Sequence, residues 1–475
     1  MLRQAQHDEE EVRGDPPATS FTINPRLIRS YDLRGVVGGD LTARDAHALG
    51  LRIAAAVLAR GERTVAIGYD GRLSSPMLEG ALVNGLVAGG AEALRTGRGP
   101  TGQLYYAVHA LGLDGGVMVT GSHNPPDQNG FKILLGAEPV YGRALRDLVE
   151  SAAAPAPGGS ARQAAVADDY LARLLQAADG APALRIGWDA GNGAAGEVVR
   201  RLTERLPGRH SLIHCEIDGR FPAHHPDPSE PENLRDLQRL VREERLDLGI
   251  AFDGDGDRIG VVGADGEIVW PDQLLLFLAE DVLARRPGSA VVADVKSSRV
   301  LFDGIAAAGG RAVLSPSGYV LVREAMLREQ APLAGEMSGH LFFADGWYGT
   351  DDALHNAMRL LAAIGRCGSL TEWRRGLPRT YATPELRLHC PDADKARVLA
   401  EVERGLTIEG AEIDRTDGLR VTAPDGWWLL RASGTEPKLT ARVEAWSADA
   451  LEQLRAELFA RLAAAGLAAE SVGRG

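Results

Sequence analysis

Residues 64–86 read TVAIGYDGRLSSPMLEGALVNGL, and this stretch decides the fold. A short apolar run starting at Thr64 has the length of a buried strand, Asp70-Gly71 turns the chain, and Met77, Leu78, Leu82 and Leu86 then recur at helical spacing. The same strand, turn and helix return at residues 184–202 (LRIGWDAGNGAAGEVVRRL) and again at residues 290–309 (AVVADVKSSRVLFDGIAAAG). A strand leading through a polar or glycine-rich turn into a helix opens a parallel α/β unit. Three such openings predict three related α/β domains.

The segments between and beyond them set the expected boundaries. Residues 151–162, SAAAPAPGGSAR, have the composition of a linker. A second boundary is expected near Asp265-Gly266 and a third near Arg375-Gly376-Leu377-Pro378. After that the pattern changes to strands at 386–389, 419–422, 428–431 and 439–446, with helices at 393–404 and 449–464, which is an α+β unit. The division expected is a disordered tail over 1–20, α/β domains over 21–155, 156–265 and 266–378, and the α+β domain over 379–475.

Composition narrows the class. At 475 residues the chain is too long for one core, and 45% hydrophobic with 25% charged residues is an ordinary globular balance. No apolar run is long enough to span a bilayer, and the polar, acidic N-terminus lacks the pattern of a secretory or transit segment. Cys215, Cys367 and Cys390 lie far apart without metal spacing, in keeping with a reducing cytoplasm. A net charge of −13 argues against a nucleic-acid partner, and no membrane partner is expected, but local arginines can still hold an anionic substrate.

Four motifs carry chemistry. Residues 115–135, GGVMVTGSHNPPDQNGFKILL, pass from a strand into a turn-rich loop and back into a strand. Ser122, beside Gly121 and His123 at a strand end, is a candidate nucleophile or phosphate carrier, and the loop alone does not choose between these and an ordinary turn. Residues 250–260, IAFDGDGDRIG, place Asp253, Asp255 and Asp257 at alternate positions, with glycines that let the backbone curl and the carboxylates converge. Three hard oxygen donors suit Mg²⁺ or Ca²⁺. An EF-hand loop is excluded, because Arg258 stands where it needs glycine and Ala264 where it needs glutamate, and a solvated acidic turn is the plainer alternative, disfavoured by the glycines interleaved after a buried strand. Arg258 adds a positive charge beside the metal. Residues 335–340, GEMSGH, pair Glu336 with Ser338 on one side of an extended loop, equipment for gripping sugar hydroxyls, and offer His340 as a proton carrier; a plain surface turn has the same composition.

Further along, residues 430–437, LRASGTEP, offer the planar fork of Arg431, the hydroxyls of Ser433 and Thr435, and the open backbone of Gly434. That set fits a phosphate, though a strand-end turn with a salt-bridged arginine reads the same way. Arg34 in Tyr31-Asp32-Leu33-Arg34-Gly35, Lys132 after the Ser122 loop, and Lys296 after the third opening strand are basic candidates.

Taken together, YDLRG (31–35), TGSHNPPDQNGFK (120–132), DGDGDR (253–258), DVKSS (294–298), GEMSGH (335–340) and RASGTEP (431–437) resemble the α-D-phosphohexomutase superfamily, in its bacterial phosphomannomutase/phosphoglucomutase branch, over roughly residues 25–465. The resemblance implies four domains around a central cleft, and a mutase that interconverts hexose 1-phosphate and 6-phosphate (mannose or glucose) through a hexose 1,6-bisphosphate. Ser122 would carry the phosphoryl group, and its oxygen would join Asp253, Asp255 and Asp257 around Mg²⁺. Arg258 would hold the moving group. Arg431, Ser433, Gly434 and Thr435 would grip the other phosphate, Glu336 and Ser338 the sugar, with Tyr31 and Lys296 also lining the substrate site. His123, Lys132 with Arg34 beside it, and His340 are the implied proton carriers. Residues 376–384 would form the hinge for closure of the fourth domain. Where the branch commonly has Thr-Gly-His, this chain has Ser317-Gly318-Tyr319, and a tyrosine cannot carry a proton near neutral pH. A phosphoglucosamine mutase and a non-catalytic sugar-phosphate binder on the same fold are the alternatives.

Overall fold

The computed structural model describes residues 22–404, 406, 410–433 and 437–467. The tail expected over 1–20 and the candidates Gly434 and Thr435 lie outside the described residues.

Four sheets follow one another along the chain, and the first three share one plan. In each, the opening strand lies between two parallel neighbours: Thr64–Tyr69, Leu184–Asp189 and Ala290–Asp294. A second strand lies parallel on one side (Glu92–Arg98, Gly208–Ile213, Arg311–Ser315). A third lies parallel on the other (Gly115–Val119, Leu248–Phe252, Leu333–Gly335). The chain then turns back antiparallel as Gln128–Leu135, Ile259–Gly263 and Leu341–Phe343. The three openings read from the sequence are thus the same position of one repeated α/β unit. The fourth sheet is antiparallel along its length, and its strands include Leu386–His389, Leu419–Ala423, Gly426–Ala432 and Lys438–Ala445, with helices Asp392–Glu403 and Ala448–Ala464.

Several expectations need correction. Ser160–Gln163, which overlaps the end of the stretch read as a linker, returns to the first sheet as a parallel edge strand beside Glu92–Arg98. Alanine and proline around it hide a strand whose only requirement is an edge to pair with. Met77 was placed among the apolar positions of its helix, yet it is 46% exposed while Leu78, Leu82 and Leu86 are buried. It stands one residue off their stripe. Helix Ser75–Ala88 is nearly apolar all round because it also packs on helix Ala43–Ala59, where Gly50 and Gly85 bring the backbones together. A methyl on either would strike the carbonyl of Leu82 or of His47.

Across the boundary expected near residue 265 the apolar core is continuous. One apolar cluster runs from Tyr170, Trp188 and Phe252 through Leu275 and Val291 to Leu354, so the second and third units are packed as one body. The fourth has its own core around Leu388, Trp428, Val443 and Leu458. Among the described residues, no helix is long and apolar enough to cross a membrane.

A buried acid lies at the junction of units two and three. Asp352 caps helix Ala353–Cys367 by accepting from the His355 N–H at 3.0 Å, and its two oxygens lie 3.0 and 2.9 Å from the Tyr170 hydroxyl. Burial pushes its pKa up to about 7. A carboxyl whose folded pKa lies above its unfolded value favours the fold most at low pH, and that contribution is lost as pH rises through the folded value. Asparagine caps equally well and does not titrate. Relative to Asp352→Asn, the wild type is expected to lose about 1–3 kcal/mol between pH 5 and pH 8, read by urea unfolding at several pH values. Parallel pH profiles for the two proteins would contradict this.

Candidate active site

The chemistry-bearing residues sit on one loop repeated three times. In each α/β unit the turn between the third parallel strand and its antiparallel return carries a motif: Ser122 in the first, Asp253, Asp255 and Asp257 in the second, Glu336 to His340 in the third. Loops at the carboxyl ends of parallel strands are where open α/β sheets place ligands.

Ser122 and the aspartates meet. Ser122 Oγ donates to Asp253 Oδ2 at 2.7 Å, and the residue is 4% exposed with φ of 46°, a left-handed conformation unusual for serine. Asp253 Oδ1 accepts the N–H groups of Asp257 and Arg258 at 3.0 and 3.1 Å. The ligand atoms of all three aspartates lie within 4.8 Å of one another. Asp255 Oδ1 and Asp257 Oδ1 are buried without a hydrogen-bond partner. Unpaired buried carboxylate oxygens are costly, and a hard cation is the group that would satisfy them, so the residues present fit a divalent metal.

Lys132, on the returning strand, reaches across to this cluster. Its Nζ lies 2.8 Å from Asp255 Oδ2 and is hydrogen-bonded to Asp257 as well. Burial opposes its charge, but Asp255 and Asp257 outweigh it and hold the ammonium protonated, well above the usual lysine range. Burial followed by the neighbouring carboxylates pushes Asp253 well up, whereas Lys132 and Arg34 hold Asp255 well down in spite of burial. Thr101 donates to Asp255 Oδ2 at 2.7 Å, and the Thr120 hydroxyl oxygen lies 3.1 Å from the same atom. Arg34 is buried, with Nε on Asp32 at 2.8 Å and one guanidinium nitrogen without a partner.

Arg258 and His340 join the second and third loops through a backbone bridge. Arg258 Nε donates to His340 Nε2 at 3.0 Å, which places the histidine proton on Nδ1, facing Asp351 Oδ2 at 3.0 Å. Burial lowers the basicity of His340, and Asp257 and Asp351 more than restore it. His123 stands 3.0 Å from Asp227, yet burial and then Arg258 bring its pKa down to about 4, so it is neutral at pH 7. Tyr319 stacks on His340 at 5.6 Å, with Lys132 Nζ 5.9 Å from its ring.

In the third unit the geometry differs from the expected extended loop. Residues 336–340 form a tight turn, with Glu336 N–H on the His340 carbonyl at 2.9 Å and Gly339 N–H on the Glu336 carbonyl at 3.1 Å. The turn is needed because strands Leu333–Gly335 and Leu341–Phe343 pair directly. Glu336 and Ser338 still share a side, their side chains 3.2 Å apart, and Glu336 also accepts the Gly318 N–H at 2.5 Å. Tyr31 reaches Ser317 O at 3.2 Å. Ser317 N–H donates to Asp417 of the fourth unit, which also holds Arg431 at 2.8 Å. Lys296 lies farther along the seam between units three and four, 3.7 Å from Glu385. The Ser433 carbonyl accepts from Lys395 at 2.7 Å.

Sequence reasoning missed the residues that hold these loops. An aspartate ends or follows each opening strand: Asp70, Asp189 and Asp294. Asp70 accepts the Gly121 N–H at 3.1 Å, and Asp294 accepts the Met337 N–H at 3.3 Å and the Ser317 hydroxyl at 2.8 Å. Asp189 takes His224 Nε2 at 3.0 Å in the segment that leads to Asp227. Their common position in the three repeats was the available signal.

Comparison with known proteins follows the same four-part order. The models for phosphoglucomutase/phosphomannomutase alpha/beta/alpha domains I, II and III match residues 25–154, 168–266 and 270–381, and that for the C-terminal domain matches 385–461. The chain is 41% identical over 442 residues to a phosphomannomutase/phosphoglucomutase of Pseudomonas aeruginosa, spanning 92% of this chain and 96% of that one. It is 40% identical over 441 residues to a phosphoglucomutase of Neisseria gonorrhoeae, spanning 91% and 96%. A solved structure of a phosphoglucomutase/phosphomannomutase family protein from Burkholderia thailandensis superimposes with a TM-score of 0.87 at 39% identity, covering 94% of this chain and 98% of that one.

Proposed function

The chain belongs to the phosphoglucomutase/phosphomannomutase family, and from that premise we infer a phosphosugar mutase that interconverts hexose 1-phosphate and hexose 6-phosphate through a phosphoserine at Ser122. The observation that carries this reading is the contact of Ser122 Oγ with Asp253 at 2.7 Å, beside two buried carboxylate oxygens left without partners.

Ser122 would give its phosphoryl group to the free 6-hydroxyl of a hexose 1-phosphate. The phosphorus–serine oxygen bond breaks as the new phosphorus–oxygen bond forms, and Ser122 Oγ recovers a proton. The resulting 1,6-bisphosphate turns over and returns its other phosphoryl group to Ser122. Phosphoryl transfer asks for alignment and charge neutralisation rather than covalent chemistry. Asp253, Asp255, Asp257 and Ser122 would hold Mg²⁺, which when bound supplies neutralising charge at the transferring group. Arg258, anchored by His340, adds a fixed positive charge at the same place, and Arg34 stands near Asp255. Lys132 Nζ and His340 Nδ1 each hold a proton beside the aspartates, and neutral His123 is an acceptor. Glu336 and Ser338 would bind the sugar hydroxyls, with Tyr31 and Lys296 alongside. Arg431 with Ser433, Gly434 and Thr435 would take the phosphate that is not reacting. A cytoplasmic enzyme fits this substrate class.

A coupled assay offering glucose 1-phosphate, mannose 1-phosphate and glucosamine 1-phosphate, with glucose 1,6-bisphosphate as primer, tests the reading. Turnover of the first two is expected, abolished by a chelator and restored by Mg²⁺. Faster turnover of glucosamine 1-phosphate would overturn the substrate class, and no turnover of any would overturn the enzyme.

A further inference from the structure

Arg72 lies in the turn that follows the first opening strand and is 1% exposed. Its NH1 donates to the carbonyls of Pro125 and Gln128 at 2.6 and 2.9 Å. Its NH2 donates to the carbonyls of Ser122 and Asn124 at 2.7 and 2.6 Å. Nε pairs with Asp70 Oδ2 at 3.3 Å, and the ring of Phe221 from the second unit lies 5.1 Å from the guanidinium. One buried side chain therefore takes up four carbonyl groups of the loop bearing the serine. Asp70 completes the grip from the other end, accepting the Thr120 hydroxyl at 2.8 Å and the Gly121 N–H at 3.1 Å. The acid takes the donors before Ser122, and the base takes the acceptors from Ser122 onward.

We propose that Arg72 is a positioning residue for phosphoryl transfer: it clamps the Ser122 loop so that Oγ is held at Asp253 through both halves of the reaction. This rests on Ser122 being the phosphoryl carrier. The physical need is specific. Ser122 sits at φ of 46°, a conformation that a free loop would leave, and its oxygen has to meet the same aspartates each time the group returns. A planar guanidinium with fixed, diverging N–H groups can hold four carbonyls at once, and an ammonium cannot. Gly121 is part of the clamp, because a methyl group there would overlap Arg72 Nε. Among the described residues, no hydrogen bond joins Arg72 or Asp70 to Glu336 or Ser338, whose own contacts lie in the third unit. The clamp therefore acts on transfer and not on sugar affinity.

The test compares wild type, Arg72→Lys, which keeps the charge, and Gly121→Ala, which keeps the arginine and disturbs the clamp. Four quantities are read on the full chain with Mg²⁺: kcat and KM for glucose 1-phosphate, the lifetime of Ser122 phosphate in buffer by intact mass, and the folded fraction by circular dichroism. The expected result is a fall in kcat of about tenfold to a hundredfold for both variants, KM changed by less than about twofold, and faster loss of the serine phosphate. Should Arg72→Lys fail to fold, Gly121→Ala carries the same comparison. A phosphorylated wild type whose variants match it in kcat and phosphate lifetime, or lose activity only in step with the folded fraction, would overturn the clamp alone. A wild type that never takes up phosphate would overturn the carrier reading, and the clamp with it.

Discussion

Ser122→Ala is expected to lower mutase activity by about a thousandfold or more while leaving the protein folded. The serine contributes one hydrogen bond to a carboxylate, Oγ to Asp253 at 2.7 Å, and its loss costs about 1.5–3 kcal/mol of stability. The loop itself is fixed through main-chain groups that alanine retains, since its carbonyl and N–H partners do not depend on the hydroxyl. Catalysis has no such redundancy. Among the described residues, Ser122 is the hydroxyl in contact with Asp253, and a sugar cannot pass its phosphate directly to itself across the ring. Activity near the wild-type level, measured with glucose 1-phosphate and glucose 1,6-bisphosphate, would contradict the assignment.

The second large effect concerns Lys132. Its ammonium lies between Asp255 and Asp257, with all three groups buried. Lys132→Met keeps most of the volume and removes the charge, leaving three carboxylates crowded together in a medium where each unpaired charge is expensive. In chelator the variant is expected to lose about 3–5 kcal/mol of stability, the cost of breaking a buried pair by removing one partner. Saturating Mg²⁺ should restore part of that loss, because a cation bound by the same aspartates offsets the same charge. Activity should fall by about a hundredfold or more even with Mg²⁺ present, since the variant lacks one of the proposed proton carriers and the positive charge beside Asp255 and Asp257. Denaturant unfolding with and without Mg²⁺ reads the first part and steady-state kinetics the second. A variant as stable as wild type in chelator would contradict the electrostatic account.

Much of this was legible in the chain. The three openings at residues 64, 184 and 290 announced a repeated α/β unit, because a buried parallel strand and its following helix leave a strong apolar pattern. Alternating aspartates and glycines after a buried strand announced the converging carboxylates of a candidate cation site. What stayed hidden depends on tertiary pairing. Ser160–Gln163 is fully exposed, so its pairing with the first sheet leaves no apolar signature. Glu336 to His340 form a tight turn only because the flanking strands meet in register. The joint core of units two and three could not be read from either segment alone. Arg72 and Asp70 looked like an ordinary polar turn, because their partners lie some fifty positions away in the chain. His123 reads as a basic residue beside a nucleophile, but burial and Arg258 leave it neutral. Tyr319, a departure from the branch in sequence, fills a packed position against His340.

If Ser122 carries the phosphoryl group that the sugar receives, the carrier can be caught directly. The most direct measurement loads the protein with labelled phosphate, locates the label by peptide mass, then adds unlabelled hexose 1-phosphate under single-turnover conditions. Label is expected on Ser122 and nowhere else, with its transfer to a hexose bisphosphate as fast as catalysis requires. Label on another residue, or a Ser122 phosphate that stays in place while the sugar turns over, would contradict it.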